Sequence, residues 1–207
     1  MGAGAQSESA MDPVLFRMGF NFRATQAFVT DAADCVFFGG NGGSGAGTNY
    51  TAVFTFTNDL FSMRAGYLGS DLVANLRDRL VTNNPKLAGT QWPSGAIAYP
   101  VVCQFDLPST GSYSIRAAFG DPNGGAVEIS TKFYDGILGA GGTLFQTIGP
   151  VTLASGEFRD ANNVTRATAA AWLTDNVAIT QNFATTTFQF TLERELASVS
   201  HIYLQKL

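Results

Sequence analysis

The sequence predicts an all-β fold, an antiparallel β-sandwich with one or two short helices. Three observations predict it. At least seven apolar runs alternate with period two, Gly, Pro, Asn or Asp punctuate the gaps between them, and charged residues make up only 14% of the 207 residues. Alternation marks a strand with one face buried, and many short strands without regular intervening helices close as a sandwich rather than as βαβ units. A chain of this length buries roughly 70% of its unfolded surface, so neither disulfides nor a structural metal is needed to stabilise it.

Residues 1–12 are small and polar and read as a flexible or partner-ordered arm, and 13–207 as a single sandwich domain opening at Pro13. The first strand places Val14, Phe16, Met18, Phe20 and Phe22 on one face, with Arg17, Gly19 and Asn21 between them. Tyr50, Ala52, Phe54 and Phe56 then alternate with threonine and valine. Val101, Cys103, Phe105 and Leu107 run up to Pro108, and Tyr113, Ile115, Ala117 and Phe119 follow the turn STGS. Val127, Ile129 and Phe133 form the next strand, and Phe188, Phe190 and Leu192 another. The core expected from this register holds Phe20, Phe22, Phe54, Phe56, Phe105, Ile115, Phe119, Phe188, Phe190 and Ile202. In the terminal SHIYLQKL, Ile202 and Leu204 face inward, while His201 and Tyr203 face outward, His201 as a surface residue.

Two stretches read as helical. SDLVANLRDRL carries Leu72, Leu76 and Leu80 at helical spacing, Ser70 as an N-cap and Asn83-Asn84-Pro85 as a stop. ATAAAWLTDN, around Trp172, is the second, with its alanines favouring a helix.

Several chemistries lack their residues. Cys35 and Cys103 sit in apolar runs and read as reduced, buried strand thiols. With a single histidine, His201, and no CxxC or HExxH spacing, a zinc site has no ligand set and a Ser-His-Asp triad would have to recruit that one terminal residue. The glycines of FFGGNGGSGAGTNY spell a literal GxGxxG. They lead into the β-rich TNYTAVFTFT rather than a helix whose amides could hold a pyrophosphate, so 39–47 reads as a loop. A net charge of −4 with three lysines argues against a nucleic-acid partner. No stretch approaches the roughly 18 apolar residues of a membrane span, and no signal peptide is recognisable at the start. No cofactor, metal or catalytic group is expected.

The expected binding residues are Arg77, Arg79, Trp92 and Asp121. Arg77-Asp78-Arg79 is either a solvated helix face or a fork that takes a carboxylate such as Asp121. Trp92, in the GTQWPSG loop, is either core or an exposed ring able to stack on a sugar or anchor a protein interface. Asp121 opens the turn DPNGG, which lacks the spacing of a calcium loop. Glu193 and Glu195 lie on one strand face toward solvent and do not form a hydrolytic pair. The glycine-rich loop DGILGAGGT at 135–143 is expected to be mobile or held by a neighbouring chain.

In order along the chain, FNF at 20–22, RDR at 77–79, NPKLAGTQW at 84–92, FDLP at 105–108, GSYSIRAAFGD at 111–121, FYDG at 133–136, TTTFQFTL and SHIYLQKL resemble the galactose-binding-like, malectin-like β-sandwich modules. The resemblance implies a jelly roll whose end loops bind carbohydrate in secreted enzymes, and which recurs in phage virion proteins. The leading expectation is a non-enzymatic virion module, a capsid decoration or tail accessory protein made in the host cytoplasm. Its partners would be other virion proteins or copies of itself, because interface surfaces are poor in Lys and Glu and neighbouring copies can order such arms and loops. The alternative is a carbohydrate-binding module that recognises a surface glycan.

Overall fold

The computed structural model describes residues 16–22, 35–38, 53–55, 62–68, 74–78, 87, 89–93, 98–123 and 125–207. In chain order the elements are β1 Arg17–Phe22, β2 Cys35–Phe38, β3 Val53–Thr55, β4 Ser62–Leu68, β5 Ala74–Asp78, β6 Gly89–Pro93, β7 Val101–Asp106 and β8 Gly111–Phe119. Further along are β9 Val127–Asp135, β10 Thr143–Leu153, β11 Phe158–Asp160, β12 Thr165–Arg166, α1 Ala169–Thr174, β13 Ala178–Phe183, β14 Thr187–Leu192 and β15 Val199–Lys206.

The strands form two sheets. The larger runs β12-β11-β8-β15-β1-β2, with β13 also on β8, β6 on β15 and β5 on β6; the smaller runs β10-β9-β14-β7-β4-β3. This is the all-β sandwich that the alternation predicts. One ladder departs from the antiparallel expectation, since β2 joins β1 in parallel register, Gly19 opposite Cys35.

The core lies between the sheets, and phenylalanine is its commonest residue. Phe20 meets Phe105 at 4.7 Å between ring centroids, and Phe22 meets Phe190 at 6.1 Å, both edge to face across the gap. Phe105 stacks on Phe188, and Phe119 packs against Phe133 and Phe190. Of the expected core, Phe20, Phe22, Phe105, Ile115, Phe119, Phe188, Phe190 and Ile202 are all fully buried. Phe56 and the side chain of Phe54 lie outside the described residues. A polar link also spans the sheets, as the Tyr67 hydroxyl of β4 donates to Gln91 Oε1 of β6 at 2.8 Å.

Four expectations change. Residues 74–78 of the anticipated helix are strand β5, paired with β6 from Ala74 opposite Pro93 to Asp78 opposite Gly89. Leucines four apart also permit an extended chain, and the ladder hydrogen bonds of β6 outweigh a weak helix propensity. Trp92 is likewise in a strand, β6, rather than in a loop.

The loop 135–143, expected to be mobile or held by a neighbouring chain, is tied within its own chain. It is the connection between β9 and β10, tied by Gly136 N–H to Thr187 O, by Ala140 and Gly142 N–H to Ile137 O, and by Leu138 N–H to Gln189 Oε1 at 2.7 Å. His201 faces outward, as alternation requires, yet it is completely buried. The other anticipated helix covers it. In α1, Thr168 caps the first turn by accepting from Ala171 N–H, and Trp172 is the fully buried residue.

Candidate functional site: a cleft on the outer face of the larger sheet

The inner residues of β8 and β15 belong to the core, so the intervening residues form a second, outward surface. Register fixes its layout. Across β13, β8, β15 and β1, one row reads Ala178, Arg116, Tyr203, Gly19, and the next Thr180, Ser114, Gln205, Arg17. A further pairing places Ala118 near His201, which in turn faces Asn21.

α1 covers only the last of these pairings. Trp172 drops onto the sheet there, its indole N–H donating to Ala117 O at 2.6 Å, and packs with Leu87, Ala118, Phe158 and Val177 in a small core separate from the main one. Its ring meets His201 edge to face at 5.6 Å. His201 Nδ1 lies 2.7 Å from Asn21 Oδ1, and Tyr203 stacks alongside the imidazole at 6.4 Å. The histidine is therefore a packing residue beneath the helix.

Beside the indole lies a cleft of about 160 Å³ lined by Ser114, Arg116, Trp172, His201, Tyr203 and Gln205. That is roughly five times the share of one water in the liquid. Trp172 and His201 form its buried base, whereas Ser114, Arg116, Tyr203 and Gln205 are half-buried and reach solvent. The Arg116 guanidinium lies over the Trp172 ring, 5.0 Å from its centroid. That contact fixes the planar group without using its five N–H donors. Among the described residues, no carboxylate or carbonyl bonds to Arg116, and the Ser114 hydroxyl and Gln205 amide are likewise unspent. A cleft with an aromatic base and a rim of hydroxyl, amide and guanidinium groups can hold a small molecule that has both apolar and hydrogen-bonding edges.

The residues expected from the sequence lie elsewhere. Arg77 is in β5 opposite Thr90, and Arg79 lies outside the described residues. Trp92 is only 9% exposed. Asp121 is buried in its turn, where Oδ1 accepts from Asn123 N–H at 3.1 Å. β6 and the 121 turn do approach each other, since the Thr90 hydroxyl donates to Gly120 O at 3.0 Å. The arginine fork that clamps carboxylates among the described residues is Arg166. Its Nε donates to Asp160 and its Nη1 to Asp175, both at 2.6 Å, and the hydrogen bond to Asp160, foremost, raises its pKa.

Sequence reasoning missed the cleft. The one usable signal was the alternation of β8 and β15, which places Arg116 and Tyr203 on the same side as His201. A β-ladder that brings residues 116 and 203 together cannot be read from either segment alone.

No family model and no curated protein matches the chain. Among solved structures it is similar to the family 32 carbohydrate-binding module from C. perfringens NanJ, solved in complex with galactose. The two share 14% identity over 70% of this chain and 93% of that one, with a TM-score of 0.35. At that distance no residue role passes from one protein to the other.

Proposed function

We propose that this protein is a non-catalytic carbohydrate-binding module and that the cleft beside α1 holds the saccharide. The observation that carries the reading is the composition of that cleft: half-buried Tyr203, Arg116, Ser114 and Gln205 set over the buried rings of Trp172 and His201. A sugar presents hydroxyl edges and apolar C–H faces at once, and it needs both kinds of wall. The rim supplies donors and acceptors in a fixed array, because its residues stand on two paired strands of the sheet. No carboxylate lines the cleft among the described residues, and so no acid–base pair for glycoside hydrolysis is assembled there.

The virion role expected from the arm and the loop 39–47 rests on segments outside the described residues. The cleft neither requires it nor speaks for it.

Titration calorimetry against a panel of mono- and oligosaccharides tests the reading. At least one saccharide should bind, and binding should be lost in Tyr203→Ala and in Ser114→Trp, which fills the cleft. A panel in which nothing binds, or binding that survives the filled cleft, would overturn it.

A further inference from the structure

The charge around the cleft is one-sided. Arg116 lines it, and Arg17 stands in the neighbouring row, next to Gln205 across the β1–β15 ladder. The two arginines come from strands that both flank β15 and stand one row apart, so their backbones lie ~12 Å apart on the sheet. Long side chains can bracket one ligand over that span. Among the described residues neither arginine has an ion-pair partner, and no Asp or Glu belongs to either row of the outer face.

The other basic side chains described, Arg159, Arg166, Arg194, Lys132 and Lys206, all donate hydrogen bonds. Arg166 is doubly paired with Asp160 and Asp175, and Lys132 is paired with Glu193. A half-buried guanidinium held over an indole keeps its planar fork rigid, and a planar fork is matched geometrically by a carboxylate through two parallel N–H···O bonds. A neutral hydroxyl offers that fork one acceptor oxygen and no charge.

We infer that the cleft selects an acidic saccharide, its carboxylate gripped by Arg116 and its approach favoured by Arg17. The inference rests on the carbohydrate-binding reading and adds the charge of the ligand to it.

The test pairs each acidic sugar with its neutral parent: galacturonate with galactose, glucuronate with glucose. Galactose 6-sulfate and free acetate serve as further arms. Calorimetry is run at low and at raised salt. At least one uronate should bind about tenfold more tightly than its parent, the worth of a charge-assisted pair. Arg116→Gln should bring that uronate down to the parent's affinity, while Arg116→Lys should restore only part, since an ammonium keeps the charge without the fork. Arg17→Gln should cost less and should flatten the salt dependence, as expected of a rim charge that steers. Thermal unfolding of the variants separates lost binding from lost fold.

If every uronate binds no better than its neutral parent and both are lost in Tyr203→Ala, the acidic preference is overturned while the saccharide site stands. Tighter binding of the sulfate ester than of any uronate would overturn the carboxylate assignment. Acetate binding as tightly as the uronates would overturn the sugar. Failure of every saccharide, acidic or neutral, sinks the underlying reading itself.

Discussion

Asp160 has no exposed surface, accepts from Val164 N–H at 2.9 Å and is the inner partner of Arg166. Asp175, the outer partner, is 45% exposed. The same guanidinium therefore makes one buried and one solvated ion pair. Asp160→Ala should cost about 3 to 5 kcal/mol because it leaves a poorly solvated charge behind. Asp175→Ala should cost under about 1 kcal/mol. Urea unfolding of both variants checks this, and equal losses would refute the division. Arg166 could have been suspected from its charge, but nothing local marks the residue that will meet Asp160. Arg116 was harder still to see, because its distinction is the absence of a partner, and only the folded ladder shows which groups stay away from it.

At the level of elements, strands with one covered face were legible and the rest were not. β7, β8, β9, β14 and β15 carry apolar residues at alternate positions because their inner faces meet the phenylalanine-rich core. Phe105, packed against Phe20, Phe188 and Phe190, tests that register: Phe105→Ala should destabilise by about 3 to 5 kcal/mol in chemical unfolding, and a loss under about 1 would contradict it. β10 gave no such signal, since most of it is exposed or half-buried and its register slips twice against β9. The second slip contains Gly149, with φ +82°, where an added Cβ would run into the Ile129 carbonyl oxygen. Gly149→Ala should accordingly cost more than about 1 kcal/mol, both from the left-handed backbone and from the clash. A neutral substitution, read by thermal melting, would show that the bulge can rearrange. β5 was misread for the opposite reason: its leucine spacing suited two structures, and the deciding strand, β6, lies beyond an intervening loop.

For the whole molecule, the two sheets bury titratable groups against each other. Cys103 of β7 and Tyr67 of β4 are ladder neighbours, both fully buried. Burial lifts the Cys103 thiol well above its ordinary 9.0. Burial, then the proximity of that thiol, lifts the Tyr67 phenol well above 10.0. In each case the neutral form belongs to the folded state. Their contribution to stability is therefore complete below those ordinary values and declines as pH rises past them, since only the unfolded chain then ionises. The decline should approach about 1.4 kcal/mol per pH unit per group. Urea unfolding from about pH 8 to about pH 11 should show the loss, and Cys103→Ala should remove its earlier part. A flat profile would mean that the groups are reached by water in the native state.

α1 is six residues long and contributes to the cleft only Trp172, its one fully buried residue, while the other lining residues stand on β8 and β15. The helical side of the cleft, here its wall, and the strand side, here its floor, thus come from structures with different obligations. The floor strands are constrained by the core behind them, whereas the wall segment, 167–177, answers to the small cluster under Trp172 and to the contacts of Asp175 and Asn176 with Arg166 and Asn162. Exchanging that segment for another short helix with a tryptophan at the same place should reshape what the cleft admits without unfolding the sandwich. The proposed saccharide site can thereby diverge on one side while its scaffold stays fixed.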